Sequence, residues 1–113
     1  MAKSNKPIFW SLFAAGGTLA AFLAPVLVLL FLLAALGFTP GALGYSQLHA
    51  FVAHWFGKLF LLGVITLFLW HAAHRLRVTL HDFGLRMDSV VAVCVYCTAA
   101  AGTVLTTIYL WRI

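Results

Sequence analysis

Of the chain's 113 residues, 65% are hydrophobic and 8% are charged, with a mean hydropathy of +1.09, whereas a soluble domain carries about a quarter charged residues. That composition excludes a water-soluble globular domain and describes an integral membrane protein. The net charge of +5 is not the footprint of a nucleic-acid binder, because the basic residues flank membrane-length apolar runs and so mark loops and helix ends.

Lys3 and Lys6 precede the first apolar block, which runs from about Ile8 to Leu36. It is too long for the apolar core of a signal peptide and shows no Ala-x-Ala exit, so a retained membrane helix is expected. It also exceeds the roughly 20 residues that cross a hydrocarbon core of about 30 Å. Pro25 lies near its middle and removes one backbone hydrogen bond, which predicts a kink. Gly16, Ala20 and Ala24 recur every fourth residue, as do Gly17, Ala21 and Pro25, giving a smooth face for a partner helix. The joint Gly37–Gly44 is a turn by its glycines and proline, and holds no Lys or Arg.

The second block is expected to be one helix over about 47–80, with Ser46 as its N-cap. Lys58 either snorkels to the near interface or shares a second polar site with His54, one turn away. The second joint, about His81 to Met87, carries Asp82, Gly84 and Arg86, and Asp88 or Ser89 is placed to cap a third helix over 88–112. On that helix Cys94, Thr98, Gly102 and Thr106 form a seam of small residues, and Tyr109, Trp111 and Arg112 an interfacial anchor. Cys94 and Cys97 lie inside the apolar run, where a stabilising disulfide is not expected, and a single C-x-x-C lacks the second ligand pair of a metal site. The fold class predicted is thus an all-α membrane protein of three transmembrane helices, forming one domain over residues 1–113.

Basic residues fall at the start (Lys3, Lys6), around the second joint (Arg75, Arg77, Arg86) and at the end (Arg112). The positive-inside rule then places the N-terminus and the second joint in the cytoplasm. This orientation draws attention to Trp70–Gly84, where three histidines, two arginines and an aspartate end an apolar run. At 100° per residue His71, His74, Arg75, Val78, His81 and Asp82 fall within an arc of roughly 120°. Phe9, Trp10 and Phe13, at the start of the first helix, lie at about the depth of His74 and Arg75. Indole, imidazole and guanidinium donors between aromatic walls suit a quinone head group, a flat ring with two carbonyl oxygens, and a histidine can accept the protons that quinol oxidation releases. The same residues also suit ordinary interfacial anchors that grip lipid phosphates.

Pro7-Ile8-Phe9-Trp10-Ser11-Leu12-Phe13, Gly16-Gly17, Ala24-Pro25, Tyr45-Ser46, Gly57, Leu69-Trp70, His74-Arg75 and His81-Asp82 stand in the order and at the separations of a known family. The chain resembles the D-type membrane anchors of bacterial quinol:fumarate reductases over residues 7–82, and matches them only in hydropathy and length beyond. The resemblance implies a multi-pass protein of the bacterial inner membrane that packs with a second three-helix anchor, the C-type anchor of the same fumarate reductase. Together the two anchors hold a flavoprotein subunit with FAD and an iron-sulfur subunit with its clusters at the cytoplasmic face, where menaquinol delivers electrons for fumarate reduction. It further implies a quinone pocket lined by Trp10, His74 and Arg75, with Phe13 as a wall, no catalytic residue of the chain's own and no haem. The chain departs from the family pattern in having Leu76–Leu80 before His81 where members are richer in histidine, and His71 stands outside that pattern. Two alternatives remain at this point: a haem-b-bearing succinate dehydrogenase anchor using His71, and a purely structural anchor whose quinone site lies in other chains. A channel or transporter is disfavoured by two acids and the lack of an internal repeat.

Overall fold

The computed structural model describes residues 5–113; Lys3, counted above for orientation, lies outside them. The described residues form four helices, α1 (Lys6–Ala35), α2 (Tyr45–Ala53), α3 (Trp55–Asp82) and α4 (Asp88–Arg112), with a 3₁₀ turn at Gly41–Leu43 before α2. Among the described residues there is no strand. Helices α1, α3 and α4 are long and apolar enough to cross a membrane, which is the three-helix architecture expected.

Pro7 sits in the first turn of α1, where its missing N–H is not needed, and the helix continues unbroken past Pro25. α1 and α3 end alike. After α1, the amide of Phe38 reaches the Leu33 carbonyl and that of Gly37 reaches Ala34; after α3, Leu85 reaches Leu80 and Gly84 reaches His81. This double bond pattern needs a left-handed residue after the helix, and Gly37 (φ 86°) and Gly84 (φ 89°) supply it.

The second expected helix, 47–80, is two helices. His54 adopts an extended ψ of 140°, and its Nδ1 accepts the otherwise unpaired Phe56 amide at 3.2 Å, so its side chain caps α3. A side chain at Gly57 would collide with the Phe51 carbonyl, and the bare glycine lets α2 pack against the start of α3. Lys58 therefore lies in the first turn of α3, near a helix end. Two further caps differ from expectation. Gly44, not Ser46, precedes α2, while the Ser46 hydroxyl donates to Gln47 Oε1 at 2.6 Å. Met87 precedes α4, and Asp88 has turned its carboxylate to Arg77 instead of to the backbone, because a bidentate guanidinium outcompetes amide donors.

Both α1 and α4 pack on α3, which is the central helix. Gly16 is buried against the Leu67 carbonyl, and Gly102 faces the Leu69 side chain. Ala73 and Ala99 are buried where α3 meets α4. The small-residue row on α1 is thus used by the chain's own α3 at Gly16 and Gly17, while Ala24 remains exposed. On α4, Thr98, Thr103, Thr106 and Thr107 donate their hydroxyls to carbonyls four residues back, which lets them sit against apolar surroundings without unpaired polar atoms. The chain exposes 8625 Å², against about 6,100 Å² for a soluble protein of its mass. Most of its apolar surface is left for lipid or for another chain.

Candidate functional site

The end of the bundle formed by the start of α1, the end of α3 and the start of α4 collects most of the charged side chains of the described residues. Helical spacing explains how. On α3, Leu67, His71 and His74 share the face toward α1, whereas Trp70, Ala73, His74 and Arg77, at i, i+3, i+4 and i+7, face α4. His74 belongs to both sets and stands where the three helices meet.

Toward α1, Phe13 lies between two histidines. Its ring stacks on His71 with centroids 4.4 Å apart and planes 14° apart, and meets His74 edge-on at 4.6 Å and 62°. The Phe13 carbonyl lies 3.0 Å from His71 Nδ1. A carbonyl can only accept, so His71 donates from Nδ1 and is held in that tautomer. The Nδ1–Cε1 edge of the His71 ring lies against Gly17, where a Cβ would come within 2.7 Å of Cε1. His71 is therefore a clasp between α1 and α3.

Toward α4, His74 Nδ1 lies 3.0 Å from the Tyr96 hydroxyl. The Tyr96 ring stacks on Trp70 with centroids 5.8 Å apart and planes at 20°, and the Arg77 guanidinium carbon lies 5.8 Å from its centroid. Arg77 is in turn gripped by Asp88 through Nε at 2.9 Å and Nη2 at 2.5 Å. The pair is part-exposed and ties the last turn of α3 to the first turn of α4.

Of the residues singled out from sequence, the structure brings Phe13 and His74 together. Trp10 and Arg75 lie at the same end without touching them: Trp10 is 70% exposed and Arg75 is exposed, and among the described residues neither makes a ring contact, hydrogen bond or ion pair. His81 and Asp82 are likewise exposed. Among the described residues, this end of the bundle presents an aromatic edge, an imidazole with no hydrogen-bond partner at Nε2, and an exposed indole and guanidinium. Tyr96 escapes the sequence because α4 reads there only as a seam of small residues. A phenol within an apolar helix is itself a signal, since its hydroxyl must find a partner.

The family model that describes the D-type subunit of fumarate reductase matches residues 1–111. Among curated relatives, the D-type fumarate reductase subunit of Shewanella sp. (strain W3-18-1) is 40% identical over 109 residues, covering 95% of this chain and 90% of the relative. Those of Aliivibrio salmonicida (strain LFI1238) and Vibrio parahaemolyticus serotype O3:K6 are each 36% identical over 113 residues, covering 98% of this chain and 94% and 90% of the relative respectively.

Proposed function

The chain belongs to the fumarate reductase D-type family of membrane anchors, and from that premise we infer that it contributes one wall of a menaquinol site beside the subunits it anchors. As a member of that family it is part of a multi-subunit complex. In the arrangement proposed, the N-terminus and the joint between α3 and α4 face the cytoplasm, following the excess of Lys and Arg at that end. A flavoprotein subunit, carrying FAD, docks there together with an iron-sulfur subunit, and a second three-helix anchor, the C-type anchor of fumarate reductase, covers the exposed apolar faces. The membrane is then the bacterial inner membrane.

The observation that carries the site is the arrangement of His74, with Nδ1 committed to Tyr96, the Phe13 ring centroid at 4.6 Å and, among the described residues, no partner at Nε2. A quinone head group needs apolar or aromatic walls and donors aimed at two carbonyl oxygens. His74 Nε2, the Arg75 guanidinium and the Trp10 indole are such donors, and Phe13 is a wall. The open side of the wall is closed by the partner subunits. When menaquinol is bound it supplies two electrons and two protons; this chain orients the ring, with the His74 imidazole beside it.

The test is Trp10→Leu, His74→Ala and Arg75→Leu in the assembled complex. Quinol-dependent fumarate reduction falls about 10- to 100-fold, as expected when a donor to a buried polar ligand is lost, while reduction of fumarate by an artificial electron donor is kept. Unchanged quinol turnover in all three variants leaves the chain a purely structural anchor.

A further inference from the structure

Tyr96 touches the candidate site through a single atom, its hydroxyl, and three successive turns of α3 fix where that hydroxyl goes. Trp70 lies flat on the ring, Arg77 stands 5.8 Å from its centroid, and His74, between them in sequence, receives the hydroxyl at 3.0 Å. Arg77 is held in place by its two bonds to Asp88. The phenol is therefore immobilised against one nitrogen of one histidine.

His71 and His74 offer a comparison within a single helix. Each has its Nδ1 bonded at 3.0 Å, the first to a backbone carbonyl and the second to a phenol. A carbonyl only accepts, so His71 keeps its proton on Nδ1. A phenol both donates and accepts, so His74 can carry its proton on either nitrogen without losing its partner. This difference matters for a ligand that changes from acceptor to donor. An oxidised quinone presents carbonyl oxygens, which call for a proton on Nε2 and a bare Nδ1 that accepts from the Tyr96 hydroxyl. A quinol presents hydroxyls, which call for a bare Nε2, with Nδ1–H donating to the Tyr96 oxygen.

The geometry points to Tyr96 as the positioning residue of His74, its phenol holding Nδ1 in both tautomers so that Nε2 can meet both redox forms of a quinone ring. This rests on the quinone reading of His74 given above.

The experiment uses the assembled complex carrying Tyr96→Phe, which keeps the ring and its stacking and removes only the hydroxyl. Oxidation of a soluble naphthoquinol falls about tenfold in kcat, in line with one lost hydrogen bond to a working group, with KM changed much less. Fumarate reduction by a viologen dye is unchanged. His74→Gln lowers quinol oxidation as well, and the double variant His74→Gln with Tyr96→Phe is no worse than His74→Gln alone, since Tyr96 acts through His74. Ring nitrogen-15 spectra give a readout independent of turnover. In the unmodified complex, His74 Nδ1 is unprotonated with bound naphthoquinone and protonated with bound naphthoquinol, whereas His71 Nδ1 is protonated in both.

Additive losses in the double variant, an unchanged kcat in Tyr96→Phe beside an impaired His74→Gln, or the same His74 Nδ1 state in both redox forms overturns the role of Tyr96 alone. Full quinol oxidation in His74→Gln overturns the quinone reading and the Tyr96 proposal with it. Should Tyr96→Phe fail to assemble, the spectra of the unmodified complex decide the matter.

Discussion

Replacing Gly16 by Ala adds one methyl group at the closest approach of α1 to α3. The new Cβ would sit 2.6 Å from the Leu67 carbonyl oxygen and 2.9 Å from His71 Cβ, both atoms that cannot swing away. Ordinary contact begins near 3.4 Å, so the helices must part by about 0.8 Å, which in a packed interface costs about 1–3 kcal/mol. The same movement stretches the 3.0 Å bond from His71 Nδ1 to the Phe13 carbonyl toward about 3.8 Å, past hydrogen-bonding range. It also draws the Phe13 ring away from His74. Two glycines provide internal comparisons. Gly63 in α3 has nothing within 4 Å of a built Cβ, and at Gly102 the nearest atom is the tip of Leu69, which can turn aside. In the purified complex, Gly16→Ala lowers the temperature at which the subunits separate and impairs quinol oxidation, Gly102→Ala does so weakly, and Gly63→Ala does neither. Gly16→Ala behaving like Gly63→Ala in both assays would refute the reasoning.

The corner between α2 and α3 depends on a cap and a bare backbone. His54→Ala speeds hydrogen exchange at the Phe56 amide and His54→Asn restores protection, because asparagine is a good N-cap; Gly57→Ala separates α2 from α3, visible as faster exchange throughout α2. The Arg77–Asp88 pair is part-exposed, so Asp88→Asn causes a small loss of thermal stability that raised salt abolishes in the comparison with the parent protein. Arg77→Lys keeps the charge but not the fork that grips both carboxylate oxygens, and it behaves like Asp88→Asn rather than like the parent.

The long helices were legible because hydropathy and the turn glycines act locally. The expected bounds of 88–112 are those of Asp88–Arg112, and 8–36 differs by a residue or two from Lys6–Ala35. The break at His54 was not legible, since the apolar run passes through it without proline or glycine at that position. What stops the helix is a ring nitrogen capping an amide two residues on, and a contact from Phe51 that only a folded chain makes. The candidate site divides in the same way. Matching depths brought Phe13 to His74, a consequence of antiparallel neighbours. Helical phase put His71 in the same arc as His74 but could not tell which histidine faces which helix, and so did not show that His71 joins α1 to α3. Asp88 looked like a cap and Arg77 like a lipid anchor until the turn brought them together. Tyr96 carries no sequence motif, and its meaning comes wholly from Trp70, His74 and Arg77 on another helix.

The corner at His54 also fixes how the protein fits the thickness of its bilayer. Residues 45–82 in one straight helix would measure about 57 Å, longer than the 53 Å long axis of the whole molecule. A bilayer with its headgroups is only about 40–45 Å thick, so such a rod would have to tilt steeply or distort the lipid around it. Turning the first nine residues aside leaves α3 with 28 residues, about 42 Å. Hydrophobic mismatch is thereby relieved at one capped residue, and α2 can vary in length or composition without changing the depth at which His74 is held.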